Sequence, residues 1–255
     1  MTPDSPLAWY EQDRAGLVHW LRAGGQLGEW ADNTLDEIHF ASQVLDLSER
    51  DTILNPGCGW GRHAIALAHY GLHVIGLDAA AGLLDLARET CAHMNIQVRW
   101  VHGDLHDLAL DEPVDAVIQF DGNLLEVTEG PAEALYTLDQ IHAILKSGGR
   151  FLFGSSTWKA APPRHEQSQA ETSESTEIYS HTFDPDSRTI QSQTIVTQRD
   201  GSQRTYQRRV WHPTAEQMAD LLYQADFDIE GQLNGFNYLP YDPNRPGLVW
   251  LVRKK

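Results

Sequence analysis

The chain has 255 residues, two cysteines and a formal net charge of −17, a length that suffices for one large α/β domain or for one domain with a sizeable insertion. Its acidity disfavours nucleic acids and anionic membranes as partners, because both attract basic surfaces. No apolar run approaches the roughly 18 residues of a membrane span, and residues 1–13 lack the basic start and apolar core of a signal peptide. We therefore expect a cytoplasmic protein with reduced cysteines, a small-molecule partner and no nucleic-acid or membrane partner, as a monomer or a homodimer.

The first 50 residues predict a helical segment ahead of the core. Apolar residues recur at helical spacing in two runs, residues 9–21 and 35–45, which two glycines separate. Asn33 or Thr34 is placed to cap the second helix. We expect residues 1–50 to cover one edge of the core domain, and a helical arm that makes oligomer contacts is the alternative.

Residues 51–154 alternate between strand and helix patterns. Strands are predicted at residues 52–54, 73–77, 97–101, 114–120 and 150–153, and helices at residues 62–70, at residues 80–93 and after Pro131. Repeated strand–helix units form a mostly parallel, doubly wound sheet with helices on both faces. The sequence thus predicts an α/β core over residues 51–154.

The pattern changes over residues 155–212, where polar residues dominate and helical periodicity is absent. Short stretches alternate polar and apolar residues around two turn signals, Asp184-Pro185-Asp186-Ser187 and Arg199-Asp200-Gly201-Ser202. This pattern predicts an inserted antiparallel β meander, with residues 159–175 as a loop.

The α/β pattern resumes over residues 213–255. Thr214 and Gln217 have the spacing of a capping box, which predicts a helix that begins there. Two short strands follow, near residues 227–233 and 248–252. We expect this last segment to complete the core sheet.

A glycine-rich turn separates the first strand of the core from its first helix. Its sequence, Gly57-Cys58-Gly59-Trp60-Gly61, presents backbone N–H groups at a helix N-terminus, where a ligand can approach the main chain. The dinucleotide fingerprint G-x-G-x-x-G is not met, because Arg62 occupies the position of the third glycine. Asp78 ends the next strand, where an acid can accept hydrogen bonds from both hydroxyls of a ribose. Together these features indicate an adenosine ligand without a diphosphate.

These residues resemble the class I S-adenosylmethionine-dependent methyltransferases, and among them the bacterial small-molecule methyltransferases. The resemblance covers residues 52–153 and, less closely, residues 208–255. It implies a Rossmann-like, doubly wound, seven-stranded, mostly parallel sheet with N-terminal helices and an antiparallel β meander inserted over the active site. It also implies S-adenosyl-L-methionine as cofactor and S-adenosyl-L-homocysteine as product.

The resemblance also implies the cofactor contacts. The glycine turn would wrap the methionine part, Asp78 would bind the ribose, and Ala79 would pack on the adenine face. Gly103-Asp104 and the backbone N–H of Leu105 would contact the adenine edge, and the end of the fourth strand would lie beside the reacting methyl group. Asn55 stands where the family has an acid, so it keeps hydrogen-bonding ability without the charge. The implied cofactor-binding residues are Asn55, Gly57, Cys58, Gly59, Trp60, Gly61, Asp78, Ala79, Gly103, Asp104, Leu105 and Gln119.

Catalysis would consist mainly of alignment, because the sulfonium of such a cofactor is already an activated methyl donor. An acceptor that must lose a proton also needs a base. Asp121 and Glu126 are the candidate bases, ahead of His165, His181 and His212. The predicted substrate-binding residues, mostly aromatic or planar groups suited to a small organic acceptor, are Tyr10, Asn123, Trp158, Arg209, Trp211 and Tyr238.

Purely structural roles compete with several of these assignments. The glycines can form a tight packing turn, Asp78 can cap a helix, Asp104 can belong to a turn, and the aromatic residues can be packed. The side chains between His102 and Asp107 include metal-ligand types, but they overlap the adenine motif and have no partner cluster. We therefore predict no metal.

The sequence thus predicts an enzyme that transfers a methyl group from S-adenosylmethionine to a small-molecule acceptor by direct in-line displacement. A catalytically silent cofactor-binding or regulatory protein is the alternative, because Asn55 replaces the usual acid. A nicotinamide-dependent oxidoreductase is disfavoured by the glycine spacing.

Overall fold

The computed structural model of the protein describes residues 26–120, 128–171 and 175–255. The helices of these residues are α1 (Gln26–Leu45), α2 (Arg62–His69), α3 (Ala81–Met94), α4 (Pro131–Ile144) and α5 (Ala215–Gln224). Their strands are β1 (Thr52–Pro56), β2 (His73–Asp78), β3 (Arg99–His102), β4 (Val114–Phe120), β5 (Leu145–Ser155), β6 (His165–Glu171), β7 (Ser175–Asp184), β8 (Thr189–Gln198), β9 (Gln203–Trp211), β10 (Phe227–Leu233) and β11 (Leu248–Lys254). Of the helices so described, none is long and apolar enough to cross a membrane.

The central sheet has seven strands in the order β10-β11-β5-β4-β1-β2-β3. Strands β5, β4, β1, β2 and β3 run parallel, whereas β11 is antiparallel to both β5 and β10. The prediction of a seven-stranded, mostly parallel, doubly wound sheet is therefore confirmed. Because the parallel strands end at one edge, the residues that follow β1, β2, β3 and β4 are brought together there.

Apolar runs bury both faces of this sheet. In β4, every residue except Asp115 is buried, as expected for a strand covered on both sides. One face packs against α4 and α5 through residues such as Leu138 and Leu222. The other face packs against α1 and α2 through residues such as Phe40 and Leu67. Helix α1 thus covers one face of the sheet beside α2.

Helix α1 begins earlier than its sequence predicts. It starts at Gln26, so Asn33 and Thr34 lie inside the helix and neither one caps it. The cap prediction is wrong because Thr34 is buried and its hydroxyl accepts a hydrogen bond from Arg62 Nη1 (2.7 Å). The predicted first helix, residues 9–21, lies outside the described residues.

The insertion forms a second sheet with the order β6-β7-β8-β9, in which all neighbours are antiparallel. The predicted meander is confirmed, but the prediction of a loop over residues 159–175 is wrong where β6 forms. Every residue of β6 is exposed, so this edge strand has no alternation of polar and apolar residues to reveal it. Backbone pairing with β7, from His165 to Glu171, defines it instead.

The second sheet joins the core at the end of β9. Trp211 is buried in the core cluster, and its backbone N–H donates to the carbonyl of Thr128 (2.8 Å). Arg188 Nε donates to the carbonyl of His212 (2.8 Å), which fixes the turn between β7 and β8 to the chain after β9. The predicted capping box of Thr214 and Gln217 then opens α5.

Candidate active site

The glycine turn between β1 and α2 needs glycine at three positions. Gly57, Gly59 and Gly61 have φ values of 63°, 57° and 86°, which side-chain-bearing residues rarely adopt. A Cβ on Gly61 would lie 2.4 Å from the ring of Trp100, and one on Gly57 would lie 3.3 Å from Gln119 Nε2. The turn is therefore a closely packed stretch of bare backbone at the carboxyl edge of the sheet.

Asp78 ties this turn to the end of β2. Its Oδ2 accepts a hydrogen bond from Gly59 N (2.7 Å), and its Oδ1 accepts one from Ala80 N (2.8 Å). Burial raises the pKa of Asp78, although these two bonds and the nearby His102 oppose the shift. The N-cap of α3 is Ala80 rather than Asp78, so the carboxyl couples two strand ends and does not cap the helix.

Asp104 is held in a tight turn after β3. Its Oδ1 accepts from His106 N (2.9 Å) and lies 2.8 Å from His106 Nδ1. Partial burial alone would raise the pKa of Asp104, but these bonds and the charge of His106 lower it. Gly103 N donates to the carbonyl of Asp78 (3.1 Å), and the Leu105 side chain is buried in the core.

The two histidines between residues 102 and 107 contact neighbouring groups at this edge of the sheet. His102 Nε2 donates to the carbonyl of Ala79 (2.8 Å), and His106 Nε2 lies 3.1 Å from Glu133 Oε1. Within the described parts of the chain, no three His, Cys, Asp or Glu side chains converge as a metal site would require.

Asn55 lies buried at the end of β1, with 2% of its surface exposed. Its Nδ2 donates to the carbonyl of Ile118 (2.8 Å). Its Oδ1 has no hydrogen-bond partner among the described residues. A carboxylate here would face the Ile118 carbonyl with no proton to donate, so the amide suits this position.

Comparisons with known proteins agree with this arrangement. Residues 53–149 match the model of a methyltransferase domain family. This stretch of the chain is therefore similar to a methyltransferase domain. The matched region contains the glycine turn, Asp78 and Asp104.

Individual relatives share the core more than the whole chain. A ubiquinone biosynthesis O-methyltransferase of Alkalilimnicola ehrlichii is 29% identical over 143 residues, which is 55% of this chain and 56% of the relative. The chain thus spans about half the length of this curated relative. A demethylmenaquinone methyltransferase of Clavibacter sepedonicus is 32% identical over 40% of this chain and 40% of the relative.

A solved structure shares the fold over most of its length. The CcbJ methyltransferase of Streptomyces caelestis has a TM-score of 0.73 at 20% identity, covering 87% of this chain and 89% of that one.

The other predicted site residues are scattered. Trp158 stacks on the ring of His212 at 5.2 Å, and Trp211 is buried in the core. Arg209 is exposed on β9. Tyr238 contacts the Phe40 ring at 4.9 Å and hydrogen-bonds Gln43. Tyr238 therefore lies against α1.

Several assignments cannot be placed in the fold. Tyr10, Asp121, Asn123 and Glu126 lie outside the described residues. Gln119, by contrast, is buried at the end of β4 next to Gly57. Phe120 follows it and packs edge-on against the His63 ring at 5.4 Å.

A buried ionic cluster beside the turn was missed by sequence reasoning. Glu37 Oε2 accepts from Arg62 Nη1 (2.6 Å) and lies 2.7 Å from His63 Nε2. Burial alone would raise the pKa of Glu37, but the hydrogen bond and charge of His63, together with Arg62, lower it, so the carboxylate is ionised. The signal was present, because Glu37 lies at helical spacing with the buried stripe of Ile38, Ala41 and Leu45.

His212, one of the less favoured candidates for a base, has a strongly lowered pKa. Burial lowers its pKa to about 4, against an opposing hydrogen bond to the carbonyl of Lys159 and with a further contribution from Arg188. Its Nε2 donates to that carbonyl (2.7 Å). His212 is therefore neutral at pH 7 and connects the insertion to residues 158–159.

Proposed function

We propose that the chain transfers the methyl group of S-adenosylmethionine to a small-molecule acceptor by direct in-line displacement. The observation that carries the proposal is the Asp78 carboxylate, bonded to Gly59 in the turn and to Ala80 after β2. A ribose-binding acid and a turn that wraps the methionine part can bind one ligand only when their relative position is fixed. These two bonds hold them so.

The chemistry of this edge fits the cofactor. Asn55 Oδ1 is a buried acceptor without a donor among the described residues, which suits a ligand donor such as an ammonium group. A carboxylate has about four acceptor positions, so Asp78 can receive ribose hydroxyls in addition to its two backbone bonds. Three residues of the glycine turn have no side chain of their own, so a ligand can approach their backbone closely.

The remaining cofactor contacts follow from the family pattern. Ala79 packs on the adenine face, and Gly103-Asp104 and Leu105 N–H bind the adenine edge. The full set that we assign to the cofactor comprises Asn55, Gly57, Cys58, Gly59, Trp60, Gly61, Asp78, Ala79, Gly103, Asp104, Leu105 and Gln119. When bound, the cofactor supplies a methyl group already activated by its sulfonium.

The protein's own residues align the acceptor and exclude water. Gln119 and Phe120, at the end of β4, border the place where acceptor and methyl group meet. Asp121 or Glu126 takes the acceptor proton if the acceptor must lose one. Asn123 orients the acceptor, and Arg209 contacts it from the inserted sheet.

The names of similar proteins refer to small-molecule acceptors. One relative described above is a ubiquinone biosynthesis O-methyltransferase. A structure titled as a SAM-bound amino pentose methyltransferase, from Micromonospora echinaspora, has a TM-score of 0.62 at 18% identity, covering 89% of this chain and 91% of that one. A small acceptor is therefore consistent with both, and the two names differ in the chemistry of the acceptor.

Calorimetric titration tests the proposal. We expect S-adenosylmethionine and S-adenosylhomocysteine each to bind at one site, and NADH not to bind. Binding of NADH alone would refute the proposal in favour of a nicotinamide-dependent oxidoreductase.

The second candidate is a catalytically silent cofactor-binding or regulatory protein. The amide of Asn55, where the family has an acid, is the observation that favours it. Cofactor binding without methyl transfer to any member of a broad acceptor panel, followed by mass spectrometry, would select this candidate.

A further inference from the structure

A cavity of about 580 Å³ lies on the inserted sheet beside Glu129. Two alternate rows of directly paired residues run along it across β7, β8 and β9. These rows are Thr182–Gln191–Arg209 and Ser180–Gln193–Gln207. Because paired residues point to the same side and alternate rows share a face, the six side chains stand on one face of the sheet.

The cavity lies on this face and not on the opposite one. The row between them, His181–Ser192–Arg208, also borders the cavity, but its side chains point to the other side. The next rows on that other side contain Phe183 and Tyr179. The structure describes both residues, and neither of them lines the cavity. The middle row therefore contributes its backbone as the floor.

The face that carries the cavity continues into the core of the protein. The next row on it ends at Trp211, which is buried in the core cluster and bonded to Thr128. Thr128 and Glu129 follow the segment after β4. Glu129 N donates to Glu133 Oε2 (2.6 Å), and Glu133 Oε1 lies 3.1 Å from His106 Nε2 in the turn after β3. The cavity is thus a cleft beside the carboxyl edge of the central sheet, where an acceptor has to meet the cofactor.

The side chains of the cleft are mostly neutral hydrogen-bonding groups. Three are carboxamides and two are hydroxyls, and each of these groups both donates and accepts hydrogen bonds. Arg209 and Glu129 add one positive and one negative charge. None of the six sheet side chains is acidic.

We propose that this cleft binds the acceptor and that the acceptor is a polyhydroxylated small molecule, such as a sugar derivative. Vicinal hydroxyls also donate and accept in pairs, which matches neighbouring carboxamides and hydroxyls. An apolar ring with a hydrocarbon tail would gain little apolar contact from these six side chains and would leave their polar groups unpaired. The assignment rests on the proposed function, since it names the acceptor of the same reaction.

The test measures binding and does not require the acceptor atom to be known. Protein saturated with S-adenosylhomocysteine is titrated, with ligand-detected NMR, against D-glucose, D-glucosamine and D-glucuronate, and against phenol and menadione. The variants are Gln191→Ala and Gln207→Ala. The matched control is Gln169→Ala, an exposed glutamine on β6 outside the cleft.

We expect at least one of the three hydroxylated probes to bind, and each cleft variant to weaken that binding about fivefold, as expected for one lost hydrogen bond. The control should bind as the unmodified chain does. The assignment is overturned if only phenol or menadione binds, if no hydroxylated probe binds, or if the control weakens binding as much as the cleft variants. Failure of S-adenosylhomocysteine to bind would instead refute the proposed function, which calorimetry detects separately.

Discussion

The glycine turn and the inserted sheet build their binding surfaces in opposite ways. In the turn, three glycines leave the backbone without side chains, and the buried Asp78 carboxyl accepts a hydrogen bond from one of them, at Gly59 N. In the cleft of the inserted sheet, exposed side chains such as Gln191 and Arg209 stand on a backbone floor. One surface is therefore set by packing and the other by the choice of side chain.

This difference predicts where substitutions matter. A change in the turn has to move closely packed neighbours, so it should alter stability and cofactor affinity together. A change in the cleft removes one exposed group, so it should alter acceptor choice with little effect on folding. A cofactor shared by a family suits the first construction, and an acceptor that differs among relatives suits the second.

The largest effect is expected for Gly61→Ala. The added methyl group would meet the Trp100 ring at 2.4 Å, at a residue whose φ is 86°. Steric clash and left-handed strain together should cost about 4 kcal/mol in the free energy of unfolding. The control is Gly201→Ala in the β8–β9 turn, where φ is 82° and nothing lies within 4 Å, so strain alone should cost about 1 kcal/mol. Urea denaturation measures both, and equal losses would contradict the packing argument.

A smaller effect is expected for Asp78→Asn, measured as cofactor affinity. The charged acceptor for the turn and for a ribose is lost, so S-adenosylhomocysteine should bind about 2.5 kcal/mol more weakly, roughly 70-fold. The control is Asp200→Asn, because Asp200 also accepts from a backbone N–H, that of Ser202 (2.9 Å), but in the distant β8–β9 turn. Calorimetry should find its affinity unchanged. Equal weakening in both variants would show that the loss is not specific to the turn.

Glu37→Gln should destabilise the fold by about 2 kcal/mol, because it leaves the buried Arg62 and His63 without their carboxylate. The same change at Glu166, an exposed residue 3.9 Å from His181, should cost less than about 0.5 kcal/mol. Chemical denaturation at pH 7.5 compares the two variants. If Glu37→Gln were as mild as the control, the cluster would have no part in holding α1 on α2.

The smallest effect concerns pH and His212. Its pKa is about 4 in the folded chain against a usual 6.5, so the unfolded chain takes up the proton first and stability falls as the pH drops below 6.5. Between pH 7.5 and 5.5 this histidine should remove at most about 1.3 kcal/mol. His212→Gln keeps an N–H for the Lys159 carbonyl and cannot titrate, so its stability should fall less over that range. Identical pH dependence in the variant would refute the buried-histidine explanation.

Much of the core could be predicted because its signals are local. The glycine turn, the acid after β2 and the alternation of strands with helices each follow from a few adjacent residues. In the inserted sheet, strand β8 (Thr189–Gln198) likewise lies between the two predicted turns. Strand β11 was predicted from its apolar run but extends two residues further, to Lys254.

What sequence reasoning missed depends on contacts between distant segments. Strand β6 is defined by pairing with β7 and has no pattern of its own. Glu37 became part of the turn region only when α1 packed on α2, 25 residues further along the chain at Arg62. The caps assigned to Asn33 and Thr34 failed for the same reason, since the local preference of Thr34 yielded to a tertiary contact.

Trp100 links the glycine turn to Gly76, a glycine of β2 outside the turn. Its ring would lie 2.4 Å from a Cβ on Gly61 and 2.3 Å from one on Gly76, so a single indole occupies the space that both glycines leave. The three positions should therefore change together during evolution. Homologues with a small residue at the position of Trp100 should be free to carry alanine at the position of Gly76, and homologues that keep the tryptophan should keep both glycines.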